Sequence, residues 1–363
     1  MAANYWVSSQ RKNWTVTPER LLELRDDLEK QYAKVLEQWP YPDRRLMFIY
    51  LRDKLLQLGK RLQFRQQCVA TAMVYLHRYF LSTPMQNVNL YLLVATAFYL
   101  ASKTEESPHH IRLVAAEARQ SWPEFVPGDV SRLGEMEFCL ISEMRSQLIV
   151  WHPYRSLIGL KENQDLKLTN DELSLAWSII NDSYMTDLPL TCPPHIIAII
   201  AMFLAVVFLP TAKSAGTLRP LSHDTLANPD SGHFSSLGAG GRQTLSGSFN
   251  HVLGNLQISN QMAAQSNASV NGKATTGPHG QTQNQTDALL QQPLDKEKAM
   301  VLIKENEKMG NTIKFLVESG VDIKQMIEGT QEMISLYDVW EQYNEKSIKD
   351  VVSRCLKTRA LDG

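Results

Sequence analysis

The hydrophobic pattern of the chain has two peaks. Between Leu90 and Ala101, inside NVNLYLLVATAFYLASKTEE, only Thr96 interrupts the apolar residues. Every face of the predicted helix is therefore hydrophobic, and such a helix must be packed on all sides. The run is too short to cross a bilayer, which needs roughly 20 residues, and it exits into Ser102-Lys103-Thr104-Glu105-Glu106. In the second peak, Pro193-Pro194 suits a first helical turn and precedes fourteen uninterrupted apolar residues from Ile196 to Leu209. Pro210 is expected to stop that helix. Tyr79, Pro84 and Phe98 recur as Tyr184, Pro189 and Phe203, all at an offset of 105. The period predicts two helical units of about 100 residues, each built round one central post.

Amphipathic stretches surround the posts. Thr17-Pro18 opens a helix outside the units, in which Leu21, Leu24, Leu28, Tyr32, Val35 and Trp39 recur every three or four residues. After the breaker Pro40-Tyr41-Pro42, five helices are predicted for the first unit, which spans 44–150. The first carries Phe48, Leu51, Leu55, Leu58 and Leu62, with Gly59 near its end; the second runs over residues 63–81. The post, residues 111–120 and a helix opened by Pro127-Gly128-Asp129 complete the set. The second unit starts at 151 and continues to 210. Its helix opened by the capping box Thr169-Asn170-Asp171-Glu172 turns Leu173, Ala176, Trp177, Ile180 and Tyr184 inward. On that helix Asn181 flanks the inner face, and Asp182 points away.

Residues 211–294 break the pattern: Ser, Gly, Gln, Asn and Thr dominate, and Phe234 and Phe249 are the only aromatics. Such a segment buries too little apolar area to offset its chain entropy and reads as a disordered insertion in a loop of the second unit. Closure entropy grows only logarithmically with loop length, so the fold tolerates it. The unit resumes over 295–343, with residues 311–318 and then Ile323, Met326, Ile327, Ile334, Tyr337 and Trp340 at helical spacing. Residues 1–43 form an N-terminal segment and helix, and 344–363 read as a C-terminal tail.

Composition narrows the function classes. A formal net charge of −1 argues against a surface that grips a phosphate backbone. Cys68, Cys139, Cys192 and Cys355 are too scattered for a disulfide framework or a zinc site. No Gly-rich phosphate loop, HExxH helix or GxSxG elbow is present, and His109-His110 reads as a solvated helix start. The first residues, MAANYWVSSQRKNW, hold no apolar signal core. The sequence implies no enzyme, metal or cofactor, and no membrane. Within that first segment Trp6 is a candidate for docking on a partner or for packing on its own domain.

One charge is out of place. At about 100° per residue, Val130, Leu133, Leu140, Ile141 and Met144 share an arc that also contains Glu137. A carboxylate there needs a cation, and Lys103, at the exit of the first post, is the candidate. The pair is either an ordinary salt bridge within one domain or two polar anchors of a binding face.

Two consecutive five-helix units, with FYLASKTEE closing the first post and GEMEFCLISEM in the fifth helix, resemble the tandem boxes of the cyclin family. MAANYWVSSQRKNW, LQFRQQCVATAMVYLHRYF, VWHPYRSL and LAWSIINDSYMTDL are similar to the branch found in the Mediator kinase module. The resemblance implies an all-α fold of tandem cyclin boxes. It also implies a nuclear regulatory subunit that binds and activates a cyclin-dependent kinase, and so regulates RNA polymerase II transcription. In this family the positions of Lys103 and Glu137 contact the kinase. Trp177, Asn181 and Asp182 match a surface associated with the large kinase-module Mediator subunits, with Tyr337 near it. Cell-cycle members dock substrates on a Met-Arg-x-x-Leu patch; here Met47, Phe48, Ile49, Tyr50 and Leu51 stand there, and His77 replaces the partner Asp. Substrate docking through the patch is not expected. The rival class is a cyclin-fold nucleic-acid module like the core of general transcription factor IIB, which a duplex-DNA filter-binding test would separate.

Overall fold

A computed structural model describes residues 4–214 and 307–359, and all their regular structure is helical. Helix α1 (Pro18–Gln31) starts where Thr17 accepts a hydrogen bond from the Arg20 backbone N–H. The single N-terminal helix expected from periodicity is in fact two, because Tyr32 leaves the helical region before α2 (Ala33–Gln38). Asp43 caps α3 (Arg44–Leu62). That helix ends at Leu62, one turn past Gly59, and Gln63 caps it in the left-handed conformation with φ 54°, so α4 (Gln66–Tyr79) begins later than 63.

Asn89 caps α5 (Leu90–Thr104) by accepting from the backbone N–H groups of Tyr91 and Leu92, and its amide donates to the Phe125 carbonyl at 2.7 Å. As its all-round hydrophobicity requires, α5 packs on α4, on α6 (Ile111–Ser121), on α7 (Ser131–Glu143) and on α3. From Leu90 to Ser102 its side chains are buried, Tyr99 excepted. Each large apolar side chain so buried contributes about 1.5–3 kcal/mol.

The second unit repeats the plan. It comprises α8 (Tyr154–Lys161), α9 (Asn170–Ser183), the short α10 (Leu188–Thr191), α11 (Pro194–Ser214), α12 (307–318) and α13 (Ile323–Glu341). The capping box is present: Glu172 accepts from the Thr169 N–H at 2.7 Å while Thr169 accepts from the Glu172 N–H. The post α11 packs on α8, α9 and α13. At Gly329 of α13 an added Cβ would run into Ile200 Cδ1, so the two helices approach as closely as a glycine permits. Pro210 does not end α11, which continues to Ser214. A proline removes one N–H and can kink a helix that otherwise holds together. The remainder of the polar insertion, 215–294, lies outside the described residues.

The segment read as a tail contains α14 (Glu345–Thr358), which packs on α3 of the first unit through a stripe of Ile348, Val352, Cys355 and Leu356. Lys54 of α3 pairs with Glu345 at 2.5 Å, and the Arg359 guanidinium donates to Gln86 O and Asn87 Oδ1. The two units are joined directly as well, by α13 against α3 and α10 against α4.

Candidate functional site

Where α5 leaves the core, its last turn meets α7. The Lys103 ammonium pairs with the Glu137 carboxylate and also lies 4.4 Å from the centre of the Tyr99 ring. Lys103 keeps 38% of its side chain exposed and Glu137 only 12%, so the lysine reaches solvent while the carboxylate is largely buried beneath it. The helical phase that set Glu137 inside an apolar arc is the reason: α7 packs on α4 and α5, and Glu137 sits where that contact meets the surface. Beside it Phe138 is 76% exposed. Sequence periodicity passed over Phe138, since an aromatic outside the apolar arc carries no signal until the neighbouring helices are placed.

One residue beyond Thr104, Glu105 caps the C-terminus of α5 and turns inward. Its carboxylate accepts from Thr71 Oγ1 at 2.5 Å and from Gln67 Nε2 at 2.6 Å, with His152 Nε2 at 3.7 Å. Burial raises this carboxyl, but the nearby His152 ring and the hydrogen bonds from Thr71 and Gln67 outweigh it and leave the pKa below its ordinary value.

The remaining sequence candidates separate. Trp6 is 58% exposed, beside Tyr5 and His195, on a cavity of about 560 Å³ also lined by Arg11 and Gln325. Trp177 is half-buried and stacked on Tyr154, with ring centres 4.5 Å apart. Asn181, Asp182 and Tyr337, expected on a surface, are internal. Asn181 accepts from the Tyr154 hydroxyl at 2.8 Å, Asp182 lies 3.5 Å from the Arg52 guanidinium, and the Tyr337 hydroxyl donates to Asp182 at 3.4 Å. Helical phase did point Asp182 away from the α9–α11 contact. In that outward direction, however, Asp182 meets Arg52 of α3 and Tyr337 of α13, which close over it.

Met47, Phe48, Ile49, Tyr50 and Leu51 are likewise all buried. Phe48 stacks on His77 with ring centres 3.8 Å apart and planes 4° from parallel. Burial, with the Arg44 and Arg25 charges nearby, pushes the His77 pKa down to about 3. The position therefore holds a neutral aromatic pair, and His77 Nε2–H donates to the Tyr184 carbonyl at 2.8 Å.

Among the described residues no group of three or more His, Cys, Asp or Glu could hold a metal, and no helix is long and apolar enough to cross a membrane. The family model "Cyclin, N-terminal domain" matches residues 28–149. The RNA polymerase II holoenzyme cyclin-like subunit of Emericella nidulans is 42% identical over 364 residues, and that of Aspergillus clavatus 43% over 362; both alignments cover 100% of each chain. Among solved structures, a chain of the CAK complex from Chaetomium thermophilum bound to ATP-gamma-S is 18% identical with a TM-score of 0.48, covering 76% of this chain and 98% of that one. With a cyclin N-terminal domain on its first unit and relatives matched end to end, the chain belongs to the family of RNA polymerase II holoenzyme cyclin-like subunits.

Proposed function

We propose that this chain is the regulatory subunit of a cyclin-dependent kinase in the Mediator kinase module, and that it acts in the nucleus on RNA polymerase II transcription. It supplies no chemistry of its own. Kinases of this class are competent only when a strand lysine and a glutamate on helix αC are held together, and a rigid partner that binds the competent arrangement shifts the population toward it. The observation that carries the reading is the Lys103–Glu137 pair at the exit of α5, its lysine partly exposed beside the exposed ring of Phe138. Trp6, exposed on the N-terminal segment, is assigned to the large module subunits together with the accessible part of Trp177.

Affinity purification of the tagged full chain, followed by mass spectrometry, tests both assignments. Lys103→Glu or Glu137→Lys should abolish recovery of the kinase and leave the helical circular dichroism intact. Trp6→Ala should keep the kinase and deplete the larger subunits. Kinase recovery unchanged by either charge reversal would overturn the reading.

A further inference from the structure

The charged turn of α5 is tied to the second unit by a chain of hydrogen bonds that includes neither Lys103 nor Glu137. Thr71 Oγ1 lies 2.5 Å from Glu105 Oε1 and 2.7 Å from His152 Nε2; His152 Nδ1 lies 2.6 Å from the Tyr184 hydroxyl. An ionised carboxylate only accepts, so Thr71 must donate to Glu105 and accept from His152, which places the ring proton on Nε2. On the other side of the ring, Nδ1 shares a hydrogen bond with the Tyr184 hydroxyl. The series Tyr184, His152, Thr71, Glu105 is thus unbroken from the second unit to the end of α5. One imidazole thus joins α4 and the end of α5 to the residue that closes α9, and its side chain is 6% exposed.

Tyr184 is held from the other side too, since its carbonyl accepts from His77 of α4. Tyr184 is therefore held by two histidines, and His152 continues the connection to Glu105. Lys103 is two residues before Glu105, on the same last turn. A displacement of Glu105 would re-aim the Lys103 ammonium relative to Glu137.

Resting on the kinase reading above, we infer that His152 is a positioning residue for kinase engagement. Through Thr71 and Glu105 it fixes the turn carrying Lys103, and through Tyr184 it sets that turn against the second unit. Neither the helical pattern nor the family match assigns it such a role; it lies in the link between units, in Val150-Trp151-His152-Pro153.

The test is a double-mutant cycle on the full-length chain, with the cyclin-dependent kinase that co-purifies with the wild-type protein as the probe. His152→Phe keeps a ring of similar size and removes both hydrogen bonds; kinase affinity should weaken about tenfold. In the Lys103→Ala background the same change should have almost no further effect, because its route to the kinase is gone. Tyr184→Phe, which deletes only the hydroxyl, should weaken binding in the same direction by less and guards against a His152→Phe variant that fails to fold. Equal fold-changes in both backgrounds would mean general loosening and would overturn the inference, as would unaltered affinity in both His152→Phe and Tyr184→Phe. Should Lys103→Ala bind the kinase at full strength, the kinase reading itself falls and takes this inference with it.

Discussion

At the scale of single residues, the informative positions are polar groups whose surroundings are apolar. Glu137 was legible because a carboxylate inside a helical arc of Val, Leu, Ile and Met needs a cation, and the contact with Lys103 is what the structure shows. Asp182 was not legible by the same logic. Phase gives the direction of a side chain relative to one partner helix, and Asp182 is enclosed by two others. His77 shows what burial does to a titratable ring. Its pKa is about 3 in the fold against an ordinary 6.5. The unfolded chain takes up a proton between those values that the folded chain refuses, so the contribution of His77 is complete above about pH 6.5 and is lost progressively toward about pH 3. Thermal melts at about pH 7 and about pH 5 should show the midpoint falling, and a His77→Gln variant should show a smaller fall over the same interval. An equal fall in both would locate the acid sensitivity elsewhere.

At the scale of elements, the two posts were the most readable part of the chain. A continuous apolar run admits only a helix surrounded by others, and the 105-residue offset carries Tyr79, at the end of α4, onto Tyr184, just after α9. Boundaries were read less well. Proline and glycine mark weak points in a helix, yet Pro210 is inside α11 and Gly59 inside α3. The helix α14 was passed over although Ile348, Val352, Cys355 and Leu356 have helical spacing. A short amphipathic stretch after the last repeat gives no hint of its partner, and here the partner is nearly the whole chain away. Its apolar stripe is nonetheless core: Leu356 is 0% exposed. Leu356→Ala should cost about 2–5 kcal/mol, the range for deleting a buried leucine side chain, measured by chemical denaturation. A loss well under about 1 kcal/mol would mean that α14 only rests on the surface of the first unit.

At the scale of the whole molecule, ion pairs tie the two units and the N-terminal helix together. Arg52 of α3 reaches Asp182 of α9 with both side chains enclosed, its guanidinium also 5.7 Å from the Trp340 ring. Arg25 of α1 grips Asp187 with two hydrogen bonds of 2.7 and 2.5 Å. Removing one member of such a pair strands the other. Arg52→Met should therefore destabilise the protein by about 3–5 kcal/mol, whereas the double change Arg52→Met/Asp182→Leu should cost far less. Equal losses in the two variants would show that the pair does not act as a pin. None of these contacts was visible in the sequence, since pairing between distant segments leaves no periodic trace.

The placement of α14 also constrains how the protein is made. Lys54 and Glu345, which meet at 2.5 Å, are 291 positions apart in the chain. When the first unit emerges from the ribosome, the helix that covers α3 has yet to be translated, and a long-range contact of this kind closes late. Until α14 has been translated, the apolar seat of Leu356 stands bare, and uncovered surface of that kind is what makes partly folded chains prone to association.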